Sequence, residues 1–301
     1  ALFMLVTVLG SGTCVSDLPN VPSRYPPGFW VTWNGGELLL EVSEGIRYRL
    51  EQIGVRYATV KHLAITHAHV DHYALPHFLQ AMFCHAVFGR TELDELHLYA
   101  PDSIVAGWPA LFKAFLPEFP QPGDHRPEGS YRVPQLIWHP MSGGRSVSIG
   151  NARLQAANVH HGFGRCEALA FRLETPEGVL AYSGDTGDCP GIRQIAHGAD
   201  LFLCESSAPI GSRDDKGYGH LTPNMAGTIA QAASVKRLVI THYTGVDIIR
   251  DQSGQFLVLE VNGVPAWRGL QSVHPVEIAD LLAEDLLERV RMQGHSKRSQ
   301  E

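Results

Sequence analysis

Apolar residues in this chain fall mostly in short bursts, about four to eight long, closed by glycine, proline or small polar residues. That rhythm predicts strands joined by turns. The first half offers strands at Phe3–Leu9, Phe29–Trp33, Glu37–Val42 and His62–Ile65, with a helical stretch over Ile46–Gln52. Helical spacing then predicts helices over Pro76–Phe88 and Ser103–Leu116, on either side of a strand Leu96–Tyr99. Strands resume at Ser146–Ile149, Ala152–Val159, Ala168–Glu174, Val179–Tyr182 and Leu201–Cys204. Thr222-Pro223 opens a helix running to about Ala233, with threonine as cap and proline at the first helical position. A strand Arg237–Ile240, a hairpin Phe256–Arg268 turning at Asn262-Gly263, a helix Pro275–Met292 and a disordered polar tail over 293–301 complete the expectation.

Two strand-rich halves with helices between them predict an α/β fold. It would be an αββα sandwich, with two mixed β-sheets packed face to face and helices outside, forming one domain over residues 1–301. Residues 73–135 read as a helical insertion or lid, since Pro117–Pro134 is crowded with proline, glycine and charge. The aromatics Phe78, Phe83, Phe88, Trp108, Phe112, Phe115 and Phe119 are mostly expected in the core, with one or two at the mouth of a site.

Composition narrows the classes. The chain has 301 residues and is 44% hydrophobic, enough to bury a full core. Its 24 basic and 31 acidic side chains give a net charge of −7, with one short basic stretch near Lys297. This argues against whole-surface attraction for nucleic acid. Cys14, Cys84, Cys166, Cys189 and Cys204 include no CxxC pair and are read as reduced thiols, mostly in the core. The opening run Ala1–Gly10 has no basic residues before it and no cleavage site after it, so it reads as a buried first strand. No run approaches the ~20 apolar residues of a membrane span, and a soluble cytoplasmic protein without membrane contact is expected.

The strongest chemical signal is Thr66-His67-Ala-His69-Val-Asp71-His72, directly after the apolar strand Leu63-Ala-Ile65. Imidazoles and carboxylates hold zinc and similar ions. Alternate residues of an extended loop point the same way, so His67 and His69 can reach one ion, and Asp71 and His72, beyond a turn, a second. Further ligands should also stand at strand ends, where His160-His161-Gly162, Ser183-Gly-Asp185-Thr186 and Thr241-His242-Tyr243 stand. Each is weak alone, and either His160 or His161 could close the site. His62, His77, His85, His97, His125, His139 and His197 lack such context and read as ordinary.

Together, HxHxDH, a later histidine, SGDT and a strand-end THY resemble the metallo-β-lactamase superfamily. Within it they look most like the ribonuclease Z branch and the related small-molecule cyclic phosphodiesterases. The resemblance runs from Val8-Leu-Gly-Ser-Gly-Thr13 through Leu38-Leu-Leu-Glu41-Val-Ser-Glu-Gly45 to His242. It implies two divalent ions, zinc first, with manganese or iron as alternatives. His67, His69 and His161 would hold one, Asp71, His72 and His242 the other, and Asp185 would bridge them. Aligning Leu154–Gly162 with the family's strand pattern favours His161 over His160. Gly219-His220-Leu-Thr222 is similar to the stretch where that branch places a histidine near the substrate phosphate, so Asp71 and His220 are the candidate catalytic residues.

The implied activity is a metal-dependent phosphodiesterase acting on a small or cyclic phosphodiester through a hydroxide shared by the ions. A carbon-ester, lactone, thioester, β-lactam or aryl sulfate hydrolase on the same site is the alternative. Processing of tRNA 3′ ends is disfavoured. Only 24 positions lead from His161 to Asp185, where arm-bearing members of that branch insert a tRNA-gripping arm, and the net charge is −7. The expected partner is a small-molecule substrate, and a homodimer is suggested by relatives. Glu41 and Ser43 stand where the family usually has Asp and Gly. Glu205 could orient a histidine or sit exposed at a strand end, and Arg24 could approach a substrate anion or be solvated.

Overall fold

Alternation along single strands sorts the side chains into layers. Along β3 (Gly36–Leu40), Leu38 and Leu40 join a core with Phe29, Val31 and Leu203, while Leu39 joins a different one with Ile46, Leu63 and Phe78. A computed structural model provides this view and describes residues 3–13, 25–88, 93–119, 133–208, 217–243, 247–250 and 256–260.

The first sheet runs in chain order: β1 (Leu5–Gly10), β2 (Gly28–Trp33), β3, β4 (His62–Ala64), β5 (Glu95–Pro101) and β6 (Gln135–Met141). Its first three strands are antiparallel and β3 to β6 parallel. Three helices, α1 (Ile46–Gln52), α2 (Leu75–Val87) and α3 (Asp102–Phe115), bury Leu50, Phe78, Met82, Ile104 and Trp108 on its outer face. The second sheet also follows the chain. Its antiparallel part is β7 (Ser146–Ile149), β8 (Ala152–Val159), β9 (Ala168–Thr175) and β10 (Gly178–Tyr182). Parallel β11 (Leu201–Glu205) and β12 (Leu238–Thr241) follow, then antiparallel β13 (Asp247–Arg250) and β14 (Phe256–Glu260). Two helices, α4 (Pro190–Ala196) and α5 (Pro223–Ala232), cover its outer face through Ile192, Ile195, Ala226 and Ile229. The expected αββα sandwich is therefore present. Among the described residues no helix is long and apolar enough to cross a membrane.

Several expectations need correction. Among the described residues of 73–135, β5 is an inner strand and α2 and α3 carry the core of the first sheet, while most of Pro117–Pro134 lies outside the described residues. Five of the seven aromatics proposed there, Phe78, Phe83, Trp108, Phe112 and Phe119, are buried, while Phe88 and Phe115 are exposed. The β6 strand was missed because Pro140 interrupts its pattern, yet an edge strand tolerates proline because one side of its backbone pairs with nothing. The sequence pattern also does not show α4 or β13, which pairs with β14, and the expected turn Asn262-Gly263 lies outside the described residues. Arg24, Cys14, the helix Pro275–Met292 and the tail 293–301 also lie outside them. β1 is an edge strand with Leu5 exposed and Leu9 buried, and of the four described cysteines only Cys204 is buried.

The histidines His62, His97 and His139 lie outside the candidate ligand groups, as expected from their lack of motif context, but they are not isolated. They stand on adjacent strands β4, β5 and β6, stacked at ring separations of 5.0 and 5.2 Å, with Tyr99 4.6 Å from His139. Burial first, then the neighbouring His97 and His139 and the Lys61 ammonium, push the His62 imidazole down to about 4. The unfolded chain takes up this proton near 6.5, which the folded chain refuses until about 4. Stability is therefore complete above the higher value and falls as pH drops through that window. The thermal midpoint of His62→Phe, which keeps a ring and cannot titrate, is expected to fall less steeply between those pH values than that of the wild type. Equal slopes would show that His62 does not carry this linkage.

Candidate metal centre

The C-terminal ends of β4, β8, β10 and β12 lie at one end of the sandwich, and each releases a loop carrying a histidine or aspartate. From β4 come His67, His69, Asp71 and His72; from β8, His161; from β10, Asp185; from β12, His242. The two sheets thus contribute facing halves of one site.

These side chains converge. Ligand atoms of His67, His69, His161 and Asp185 lie within 4.8 Å of one another, as do those of Asp71, His72 and His242. Asp185 stands between the groups. Its Oδ2 faces His161 at 3.7 Å and His67 at 3.8 Å, while Oδ1 faces His72 at 3.2 Å and His242 at 3.5 Å. All seven side chains singled out from the sequence are therefore brought together. Six are buried, and His69 is half-buried. His161 and not its neighbour enters the cluster: His160 lies on the outside, with Nε2 3.0 Å from the Gly217 carbonyl.

The surroundings hold the rings with one nitrogen aimed inward. His161 Nδ1 donates to the Gly219 carbonyl at 2.8 Å, and His67 Nδ1 meets the Thr66 hydroxyl at 3.0 Å, leaving each Nε2 to the centre. Glu41, in a left-handed conformation (φ 65°), accepts from the Thr66 amide and hydroxyl and lies 3.2 Å from His72 Nδ1. The carboxylate thus braces His72 from the end of β3, the strand beside β4.

Do these residues fit divalent cations? Buried nitrogens and oxygens with no hydrogen-bond partner among the described residues sit at His67 Nε2, His72 Nε2, His242 Nδ1 and Asp185 Oδ1, all in the cluster. Orphaned buried polar atoms are costly, and so many converging on shared points mark a site built for a ligand. The electrostatics agree. Burial works to raise the Asp71 carboxyl, but the hydrogen bond from His242 and the nearness of His72 outweigh it and hold it at about 2. Burial opposes charge on His72, yet Asp185 and Glu41 raise its affinity for a proton well above normal. A proton is thus drawn to His72, whereas burial first lowers the affinity of His67, His69 and His161 for a proton and keeps those rings neutral, the form that binds a cation. Imidazole and carboxylate donors in sets of three and four, sharing one carboxylate, suit two divalent ions.

His220 borders this cluster, its ring 4.8 Å from His161 and 5.9 Å from His242. Its Nδ1 donates to Glu205 Oε1 at 2.8 Å. Glu205 is fully buried, which settles the open reading of that residue: it also accepts from the amides of Thr186, Leu221 and Ser207 and from the Ser207 hydroxyl. One carboxylate so ties the residue after Asp185 to His220. Burial disfavours the His220 cation, but the Glu205 hydrogen bond and charge prevail and raise it to about 9. Ions in the neighbouring groups would act in the opposite sense.

The strap before His220 needs glycine. Gly219 has φ 92°, and a Cβ there would stand 2.2 Å from the His160 carbonyl oxygen. Gly219→Ala is expected to destabilise the chain by about 2–4 kcal/mol and to weaken metal retention, because the carbonyl that orients His161 must move. Thermal denaturation and metal content measure both, and an unchanged midpoint would contradict the packing.

A family model described as the beta-lactamase superfamily domain matches residues 44–243. An uncharacterized protein of Mycobacterium leprae is 36% identical over 118 residues, a match spanning 38% of this chain and 40% of that one. The chain thus spans less than half the length of this curated relative. Among solved structures, the short form of human tRNase Z superposes with a TM-score of 0.63 at 21% identity, over 79% of this chain and 92% of that one. A diphosphatase of the PhnP family gives 0.58 at 20% identity, over 79% and 85%. At such identity these likenesses speak for the fold.

Proposed function

Because the chain belongs to the beta-lactamase superfamily, whose members include metal-dependent hydrolases, we propose that it is a dinuclear phosphodiesterase acting on a small or cyclic phosphodiester. The observation that carries this reading is His220, braced by the buried Glu205 beside two ligand groups that share Asp185.

His67, His69 and His161 would hold one ion, Asp71, His72 and His242 the other, and Asp185 would join both; zinc suits this donor set, as do manganese and iron. Bound there, the ions supply an activated water at neutral pH and positive charge for the transition state. The protein's own part is positional. Thr66 and Gly219 fix the tautomers of His67 and His161, and Glu41 braces His72. With Nδ1 given to Glu205, His220 presents Nε2 to a substrate oxygen, where it can donate a proton to a phosphate oxygen or to the leaving group. A diester carries one negative charge, which the site's cations and His220 can neutralise without an extended basic surface. The stretch from His161 to Asp185 is filled by a tight turn at Gly162–Gly164 and the β9–β10 hairpin, so no tRNA-gripping arm is inserted there.

The test is the metal-loaded chain on a panel of a phosphodiester, a phosphomonoester, a lactone, a thioester, a β-lactam and an aryl sulfate. Two metals per chain with preference for the phosphodiester is the expected result. Turnover confined to carbonyl or sulfate esters would move the substrate class to carbon or sulfur.

A further inference from the structure

Five of the seven ligand side chains, His67, His72, His161, Asp185 and His242, are at most 4% exposed, and Asp71 is 6% exposed. His69 and His220 alone among the eight site residues are half-buried, so the way in passes beside them. Two aromatic rings stand next to that opening. Tyr218 stacks on His220 at 5.2 Å and 27°, and meets His161 edge-on at 5.2 Å. Phe163 stands edge-on to Tyr218 at 5.0 Å, and the two are 58% and 38% exposed.

An exposed phenylalanine here is held at a cost. Phe163 has φ 57°, between Gly162 and Gly164 at 58° and 69°, a left-handed conformation that is strained for a residue bearing a side chain. Hydrogen bonds from the Phe163 amide to the Tyr218 carbonyl and from the Gly164 amide to the His161 carbonyl maintain it. The turn therefore links the metal-ligand loop to the His220 strap and displays a ring between them. The aromatic rings beside the site are thus Phe163 and Tyr218, on loops of the second sheet, and not those of 78–119.

We infer that Phe163 and Tyr218 form the specificity wall of the site, receiving a planar aromatic group carried by the ester substrate while its phosphate lies at the ligand groups. A ring stacked on His220 lies within one nucleotide's reach of the phosphate position, and stacking of a base on an aromatic side chain is worth a factor of roughly 5 to 150 in affinity. The inference rests on the reading that a phosphate ester occupies this centre.

Its test is calorimetric binding to the metal-loaded full chain of adenosine 5′-monophosphate and of ribose 5-phosphate, which share the phosphate and sugar and differ by the aromatic ring. Wild type is expected to bind the nucleotide about tenfold more tightly. Phe163→Ala should shrink that preference severalfold with metal content unchanged, and Phe163→Trp should keep it, which guards against an alanine variant that merely fails to fold. Equal wild-type affinities, or no binding of either, overturn the inference. A nucleotide preference in a protein that hydrolyses no phosphodiester would retire the proposed reaction and leave the wall standing.

Discussion

Asp185→Ala is expected to leave the chain with at most one divalent ion and to lower hydrolysis by about a thousandfold or more. The carboxylate turns one oxygen to His67 and His161 and the other to His72 and His242, so its loss removes a donor from both ligand groups at once. It would also remove the negative charge that would let two cations sit close together. A contribution of several kilocalories per mole to the reacting centre corresponds to that loss of rate. Replacing His69, which belongs to one group, should instead spare the second ion. Metal analysis beside a steady-state assay decides the matter. Two retained ions with near-normal turnover in Asp185→Ala would exclude the shared-carboxylate arrangement.

His220→Ala should produce a different pattern: two ions retained, with phosphodiester turnover reduced about a hundredfold to a thousandfold. The distinction is chemical. His220 spends Nδ1 on Glu205, and although it also has a ring nitrogen within 4.8 Å of donor atoms of Asp185 and His242, its loss should remove a proton donor while the other seven side chains remain. If metal content fell in step with activity, His220 would be a ligand instead. Glu205→Gln extends the argument. An amide cannot accept from all five donors that now meet the carboxylate, and whichever end carries NH2 confronts another donor. A stability loss of about 1–3 kcal/mol is expected, together with a fall in turnover, because His220 and the residue after Asp185 lose a common anchor. An unchanged turnover would show that Glu205 does not position His220.

Where local chemistry decides, the sequence was readable. Ile46–Gln52, Ser146–Ile149 and Ala152–Val159 coincide with the observed elements because hydrophobic period and turn residues agree there. Thr222 caps α5 through its side chain as expected. The convergence of these side chains was legible because few roles other than metal binding call for histidines and aspartates clustered at strand ends, with the family resemblance sorting them into two sets of three around Asp185. What depends on tertiary placement was not. Nothing local tells that Glu205 is buried among five donors, that His62, His97 and His139 align across three parallel strands, or that the aromatics near the site sit at Phe163 and Tyr218. Periodicity shows which residues share a face of a helix. It does not show which loop that face will meet.

The ligands' distribution between the sheets bears on how the molecule is built in time. The first four lie within six consecutive residues, whereas His242 meets Asp71 across 171 positions of chain. During synthesis the early cluster is complete long before its distant partners exist, so an ion captured then is held by half a site and must be retained or exchanged until β12 docks. Long-range closure of this kind is slow. Metal supplied during refolding should therefore bind in two stages, a fast weak phase belonging to the HxHxDH loop and a slow tight phase that reports the sandwich closing.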